Sequence, residues 1–379
     1  MFFRSLLSTQ SAKELIHQII AKADIEIGGS RPWDLQVHDD KFYARVVRDG
    51  SLGLGETYMQ GMWDCAAVDE FFMRLLRENL NEHAASSWTM LWASLKAKVF
   101  NMQTKSNGLK VIHQHYQIGN DLYQNMLDST LTYSCGYWKE AQDLEKAQQD
   151  KYHLICKKLS LRPGMTVLDI GCGWGGFAKF AAEKYGVYVT GITLSENQAE
   201  YAKTICHGLP IKIKILDYRD IDQTYDRVVE IGMFEHVGVK NYRKFMEVAN
   251  RALVPDGIFL LHTIGANFTA LASDPWINTY IFPNGHIPSI VEVGEAIEKI
   301  FVVEDWHNFG ADYDKTLMAW YQNFNQKWPK ISAQYGENFY RMWRYYLLSC
   351  AGSFRARSIQ LWQVVLSKNG LVGGYLSVR

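Results

Sequence analysis

A chain of 379 residues is long enough for one large core and a smaller second one. Lysine plus arginine and aspartate plus glutamate both number 40 with no block of like charge, which argues against nucleic acid or another polyanion as partner. The six cysteines, at 65, 135, 156, 172, 206 and 350, show neither C-x-x-C spacing nor a disulfide framework, no apolar run reaches the ~18 residues of a membrane span, and MFFRSLLSTQ lacks the apolar core of a signal peptide, so the expectation is a cytosolic protein with reduced thiols, soluble or at most peripheral to a membrane.

Residues 1–100 read as a helix-rich unit in which SLGLGETYMQGMWD (Ser51 to Asp64) forms turns between short helices or strands. The polar stretch NMQTKSNGLK, beginning at Asn101, suits an exposed connection. The expected organisation is therefore an N-terminal domain over 1–100, a linker over 101–112 and a second domain over 113–379. From Arg162 onward short apolar runs alternate with amphipathic stretches: TVLDIG, VYVTGIT, IKIKIL, DRVVEIG, GIFLLHTIG, FVVEDW and IQLWQVVL. That alternation predicts an α/β fold with a largely parallel sheet covered on both faces. The last run follows a helical segment and the basic turn FRARS, so it inserts antiparallel at the edge or in the interior of the sheet.

LDIGCGWGGFAKFAAEKYG (Leu168 to Gly186) is a buried strand, a tight turn and a helix, with glycines where backbone must approach a ligand. Gly171, Gly173 and Gly176 satisfy G-x-G-x-x-G, a pattern shared by dinucleotide and S-adenosylmethionine sites. Asp169 within the strand end, and a second strand ending in GITLSENQ rather than in an acidic residue, favour the sulfonium cofactor. Ser195-x-x-Gln198 reads as a capping box that places Glu196 one residue inside a helix; capping and ligand contact both remain open for Ser195 and Gln198.

Ligands of such a sheet sit outside the carboxyl ends of its strands. Glu235 and His236 in GMFEHVG follow the fourth strand and His262 ends the apolar part of the fifth, so Glu235 and His262 could meet there, the carboxylate fixing the imidazole tautomer. NFGADYDKTLMAWYQNF (Asn308 to Phe324) is a turn leading into a helix whose Tyr313, Trp320, Tyr321 and Phe324 recur at helical spacing, a stripe that is ordinarily core. His113 and His115 lack a cysteine or acidic partner at zinc spacing, and no other cluster makes a better metal site. Cys135, inside TYSCGYW, reads as nucleophile, metal ligand or pocket wall.

Taken in one order, HYQIGNDLYQNMLD, YSCGYW, LDIGCGWGG, TLSENQ, GMFEHVG, HTIG, DPWINTYIFPNG, NFGADYD and RARSIQLWQVV give a chain that resembles the bacterial cyclopropane-fatty-acyl-phospholipid synthases nearly end to end. The resemblance implies a class I S-adenosylmethionine-dependent methyltransferase core with a seven-stranded sheet, a smaller N-terminal lipid-binding domain, and addition of a methylene across a cis double bond of a phospholipid acyl chain. It implies bound bicarbonate as general base, cradled by Cys135, Glu235, His262 and Tyr313 with backbone groups of Gly232 and Ile264, Glu235 staying charged and orienting His262. For the cofactor it implies Tyr133, Ser134, Asp169, Gly171, Gly173, Trp174, Gly176, Thr193, Leu194, Ser195, Gln198, Asp217 and Tyr218, with Tyr116 over the pocket. Cys350 is a further catalytic candidate, read first as a structural thiol because the mechanism needs no covalent enzyme intermediate. Because acyl chains lie inside a bilayer and no run spans one, the expectation is reversible peripheral contact with the inner face of the cytoplasmic membrane, where a homodimer would share one lipid surface. Gln117 and Glu230 depart from the family pattern, which commonly has Asp and a small residue at those places.

Overall fold

The computed structural model describes residues 9–78, 119–270 and 272–379. The expected linker 101–112, together with His113, His115, Tyr116 and Gln117, lies outside them. The described residues group into two units, one of 9–78, 272–283 and 317–359 and the other of 119–270, 284–316 and 360–379. The sequence reading assigns 113–379 to one domain; two of its segments group instead with the N-terminal residues.

In the first unit the helices Thr9–Lys22, Lys41–Asp49, Ser51–Met59 and Val68–Arg77 accompany a short ladder of β1 (Gln36–Val37) and β2 (Trp63–Asp64). Ser51–Met59 is helical where turns were expected, because its glycines serve close packing. A Cβ on Gly55 would fall 2.3 Å from the Trp276 ring and one on Gly53 2.5 Å from the Arg45 carbonyl. The helix Glu337–Arg355 is tied to the N-terminal segment by two arginines. Arg341 donates to the Tyr58 and Trp63 carbonyls at 2.6 and 3.0 Å, and Arg344 to those of Cys65 and Ala66 at 3.2 and 2.9 Å. Such forks satisfy backbone oxygens that the short ladder leaves over.

The second unit is built on one seven-stranded sheet in the order β5-β4-β3-β6-β7-β9-β8. The strands are β3 (Thr166–Ile170), β4 (Tyr188–Thr193), β5 (Ile211–Ile215), β6 (Tyr225–Ile231), β7 (Leu253–Ala266), β8 (Val302–Asn308) and β9 (Ile359–Ser367), one for each apolar run of the sequence. β3 to β7 pair in parallel, as strands joined by helical crossovers must, whereas β8 and β9 are antiparallel. The final strand therefore takes the interior position of the two that the sequence left open. Successive side chains alternate between two cores: Leu168, Val228 and Val364 lie in one, Val167, Val229 and Val365 in the other. β3 has β4 on one side and β6 on the other, so the chain order reverses there and a crevice opens at their carboxyl ends.

Candidate functional site

After β3 the chain turns through Gly171 at φ +80°, where an added Cβ would also meet that of Met233 at 2.9 Å. The helix Gly176–Tyr185 follows. Its first residue has no room for a side chain, since a Cβ there would lie 2.8 Å from the Tyr152 hydroxyl. The turn thus brings backbone, with Gly173 at its middle, to the crevice. Asp169 ends 1 % exposed, its carboxyl pushed up to about 7 by burial, and its Oδ2 has no hydrogen-bond partner among the described residues.

Beyond β4 the polar groups close on one another. Thr193 Oγ1 donates to Gln198 Oε1 at 2.9 Å and accepts from the Ser195 N–H at 3.2 Å, while Ser195 Oγ accepts from the Gln198 N–H at 3.3 Å. Ser195 is therefore the cap of the helix Glu196–Ile205, as the sequence allowed, but the Gln198 side chain turns to Thr193 instead of completing the reciprocal box. Glu196 is exposed and Leu194 half-buried. After β5, Asp217 is held by Arg219 through two side-chain bonds of 2.8 and 2.6 Å, and Tyr218 packs edge-on to Phe245. Tyr133, Tyr123 and Trp174 form a chain of rings with centroids 5.3 and 5.0 Å apart.

A second group lies at the ends of β6 and β7. Glu230, fully buried, accepts at Oε1 from the N–H groups of Met233 and Phe234 and so caps the short turn Phe234–His236; its Oε2 has no partner among the described residues. Glu235 Oε1 accepts from the Ile264 N–H at 2.7 Å, and its Oε2 likewise has none. Burial and the neighbouring Glu235 carboxyl hold Glu230 well above the carboxylate range, and burial pushes Glu235 up to about 7. The expectation is a charged Glu235, and its burial works against that charge.

Nor does Glu235 orient His262. The His262 Nδ1 faces Gln363 Nε2 at 3.2 Å, so the amide donates, Nδ1 accepts and the ring proton sits on Nε2, an atom without a partner among the described residues. Burial, with the charges of Lys151 and Lys158, keeps the ring neutral well below its ordinary value. The backbone groups of Gly232 and Ile264 are engaged internally: the Gly232 N–H donates to the His262 carbonyl, the Ile264 N–H to Glu235, and the Ile264 carbonyl accepts from Thr263 Oγ1.

Cys135 packs with Phe309 and Leu361, against which Tyr137, Ile264 and Tyr313 also lie. Burial pushes its thiol well above the usual range, so it is protonated, which disfavours both nucleophile and metal ligand. Among the described residues no group of His, Cys, Asp and Glu could hold a metal ion. The segment around it is fastened by Thr316, which accepts from the Gly136 N–H at 3.0 Å and Trp138 Nε1 at 2.8 Å, and by Asp312, which accepts from the Trp138 N–H at 2.7 Å. Cys350, by contrast, belongs to the first unit, where burial pushes its thiol up to about 12. Burial also lowers His236 to about 4, a neutral ring on the same turn as Glu235.

Sequence reasoning missed Gln363, Thr316 and Lys151. All three owe their place to residues distant in the chain, and none stands in a motif with a recognisable spacing.

The family model of mycolic acid cyclopropane synthetase matches residues 103–364. The chain is 51 % identical to the cyclopropane-fatty-acyl-phospholipid synthase of Escherichia coli K12 over 94 % of both chains. The solved mycolic acid cyclopropane synthase CmaA1, complexed with SAH and CTAB, is 34 % identical, with a TM-score of 0.64 over 69 % of this chain and 98 % of that one. Coclaurine N-methyltransferase, at 22 % identity and a TM-score of 0.70 over 83 % of this chain and 99 % of that one, shares the fold.

Proposed function

The chain belongs to the mycolic acid cyclopropane synthetase family, a class I S-adenosylmethionine-dependent methyltransferase that makes cyclopropane fatty acids, and from that premise we propose that its substrate is an unsaturated phospholipid acyl chain. The observation that carries this reading is the 51 % identity, over 94 % of both chains, with a cyclopropane-fatty-acyl-phospholipid synthase. S-adenosylmethionine, when bound, would supply the methyl: its S–C bond would break as a C–C bond forms to one alkene carbon, S-adenosylhomocysteine would leave, and transfer of a proton from the new methyl to the general base would close the ring on the other, cationic carbon.

An alkene is a weak nucleophile, so the chain's work is to hold it in line in an apolar slot. Tyr133, Ser134, Asp169, the glycine turn to Gly176 with Trp174, Thr193 to Gln198, Asp217 and Tyr218 line the cofactor's side of the crevice. Asp169, with its unpartnered Oδ2, is the group best placed to accept from it. Aromatic faces at Tyr137, Phe309 and Tyr313 can steady the developing cation.

For the proton, the buried atoms Glu235 Oε2 and His262 Nε2 fit a small oxyanion: the ring proton donates, and the carboxyl donates when protonated. Bound bicarbonate there would supply the general base. Cys135 and Tyr313 would wall the cradle, Gln363 would hold the imidazole in its donating tautomer, and Gly232 and Ile264 would support it through the internal bonds described above. Cys350 stays outside this scheme.

No helix among the described residues is long and apolar enough to cross a membrane. On this reading the acyl chain is reached by reversible contact with the bilayer surface, through the first unit, at the inner face of the cytoplasmic membrane and with a homodimer as the unit of binding. The test is incubation of the protein with methyl-labelled S-adenosylmethionine and unsaturated phospholipid vesicles, with and without bicarbonate. Mass spectrometry is expected to find label in a cyclopropane whose formation needs bicarbonate. A methyl-branched or methylene product would sink the ring-closing step, and no labelled lipid would sink the substrate.

A further inference from the structure

The helix Leu144–Lys158 lies behind the cysteine-bearing segment and grips it at successive residues. Tyr152 meets Thr132 at 2.5 Å, Gln148 Nε2 donates to the Ser134 carbonyl at 2.8 Å, and Lys151 Nζ donates to Ser134 Oγ at 2.8 Å. Two of those partners are neutral. The third is an ammonium that is 0 % exposed, and its hydrogen bond goes to the Ser134 hydroxyl, not to a carboxylate.

A buried cation without an opposite charge is costly, and a sequence that only needed to fasten Ser134 could do so with a neutral side chain, as Gln148 does one turn away. The position of the charge is informative. Lys151 holds Ser134, the residue before Cys135, and its charge bears on the Cys135 thiol and the His262 ring; among the described residues the carboxylate whose charge bears on it is Asp128, itself taken up by Thr130 and Thr132. Among the described residues a second buried cation, Lys158, also acts on the His262 ring, but it lies 3.9 Å from the Asp305 carboxylate and 3.0 Å from His307, so Lys151 is the buried cation there without a paired carboxylate.

We propose that Lys151 is a positioning residue whose ammonium fixes the Ser134 hydroxyl and is the counter-charge of a carboxylate-class anion bound beside Ser134 and Cys135. Two ligands carry that chemistry, bicarbonate and the α-carboxylate of the cofactor, and the inference rests on the reading above that both bind in this crevice. Burial leaves the amine pushed down to about 7 with no anion alongside, and a bound carboxylate restores its charge.

The experiment compares the full-length protein with Lys151→Met and Lys151→Gln. The dissociation constant of S-adenosylhomocysteine is measured by calorimetry and the KM for bicarbonate in ring formation, with thermal unfolding as the check on folding. In both variants one of the two constants rises roughly tenfold or more while the other stays within about twofold, and the arm that moves identifies the anion. Thermal unfolding of Lys151→Met stays level or improves, since an apolar isostere removes a buried charge. Both constants within about twofold of the parent chain would overturn the proposal. So would failure of both variants to fold, which would give Lys151 a purely structural part. A parent chain that shows no bicarbonate dependence removes the base reading alone and leaves the S-adenosylhomocysteine arm to decide about Lys151.

Discussion

Around the ends of β4 and β5, Thr193, Ser195, Gln198 and Asp217 find partners among themselves and Arg219; toward the carboxyl ends of β6 and β7, Glu230, Glu235 and His262 each keep a buried polar atom with no partner among the described residues. Both regions are polar and both lie at the carboxyl edge of one sheet. The first is satisfied before any ligand arrives, so it sets the shape of a wall. The second carries unmet hydrogen-bonding capacity at a cost to the folded protein, and only a ligand can return that cost. Asp169 sits by position in the first region and by chemistry in the second, since its Oδ2 is also without a partner among the described residues.

Substitutions in the two regions should therefore separate catalysis from binding and binding from stability. The largest effect belongs to Glu235→Gln, which takes away the acid that shares the cradle with His262. Ring formation should fall about 10²- to 10⁴-fold while the calorimetric affinity for S-adenosylhomocysteine holds within about twofold. Equal losses in both would erase the distinction between the regions.

Asp169→Asn comes next. The folded carboxyl is raised from 3.8 to about 7, so it binds its proton more tightly folded than unfolded. The contribution is stabilising only at low pH: the ligand-free protein loses stability as pH climbs from about 4 to about 7, with nothing regained above. Glu230 and Glu235 act with the same sign. The amide variant should show a shallower slope, about 1–3 kcal/mol more stability at pH 8 by urea unfolding, and roughly tenfold weaker S-adenosylhomocysteine binding. A variant less stable at pH 8 would show that Asp169 supports the fold and is not a group held for a ligand.

The smallest effect is that of Ser195→Ala, which removes the cap of the helix Glu196–Ile205. It should cost about 1 kcal/mol of stability by the same unfolding measurement and leave S-adenosylhomocysteine affinity within about twofold. A large loss of affinity with unchanged stability would move Ser195 from wall to ligand contact.

Much of this arrangement was legible beforehand. All seven strands of the sheet were marked by short apolar runs: the central ones because strands buried on both faces must be apolar along their length, and the partly exposed edge strands β5 and β8 by the alternation of IKIKI and the apolar start of VVEDWHN. The glycine turn could be placed because Gly171 takes a positive φ that favours glycine, whereas Gly176 is required by the tertiary approach of the Tyr152 hydroxyl and the Thr130 carbonyl. The helix Ser51–Met59 was misread because its glycines, which usually break helices, here admit the Trp276 ring, a neighbour more than two hundred residues away. The partner of His262 was misassigned for a similar reason. Glu235 and His262 share a strand edge, but the imidazole is held by Gln363 on β9, whose interior position was one of two left open.

The amino-acid sequence by itself determined the α/β class, the strand set, the cofactor turn and the residue types gathered at the carboxyl edge, because each depends on periodicity or on a short segment's own geometry. Tertiary structure alone decided which of those groups are satisfied and which are left waiting. It made Glu230 a cap, gave Glu235 to a backbone amide, turned His262 toward Gln363 and put an unscreened ammonium at Lys151. Burial and hydrogen-bond partners are properties of the assembled neighbourhood, and the proton affinities that chemistry depends on follow from them.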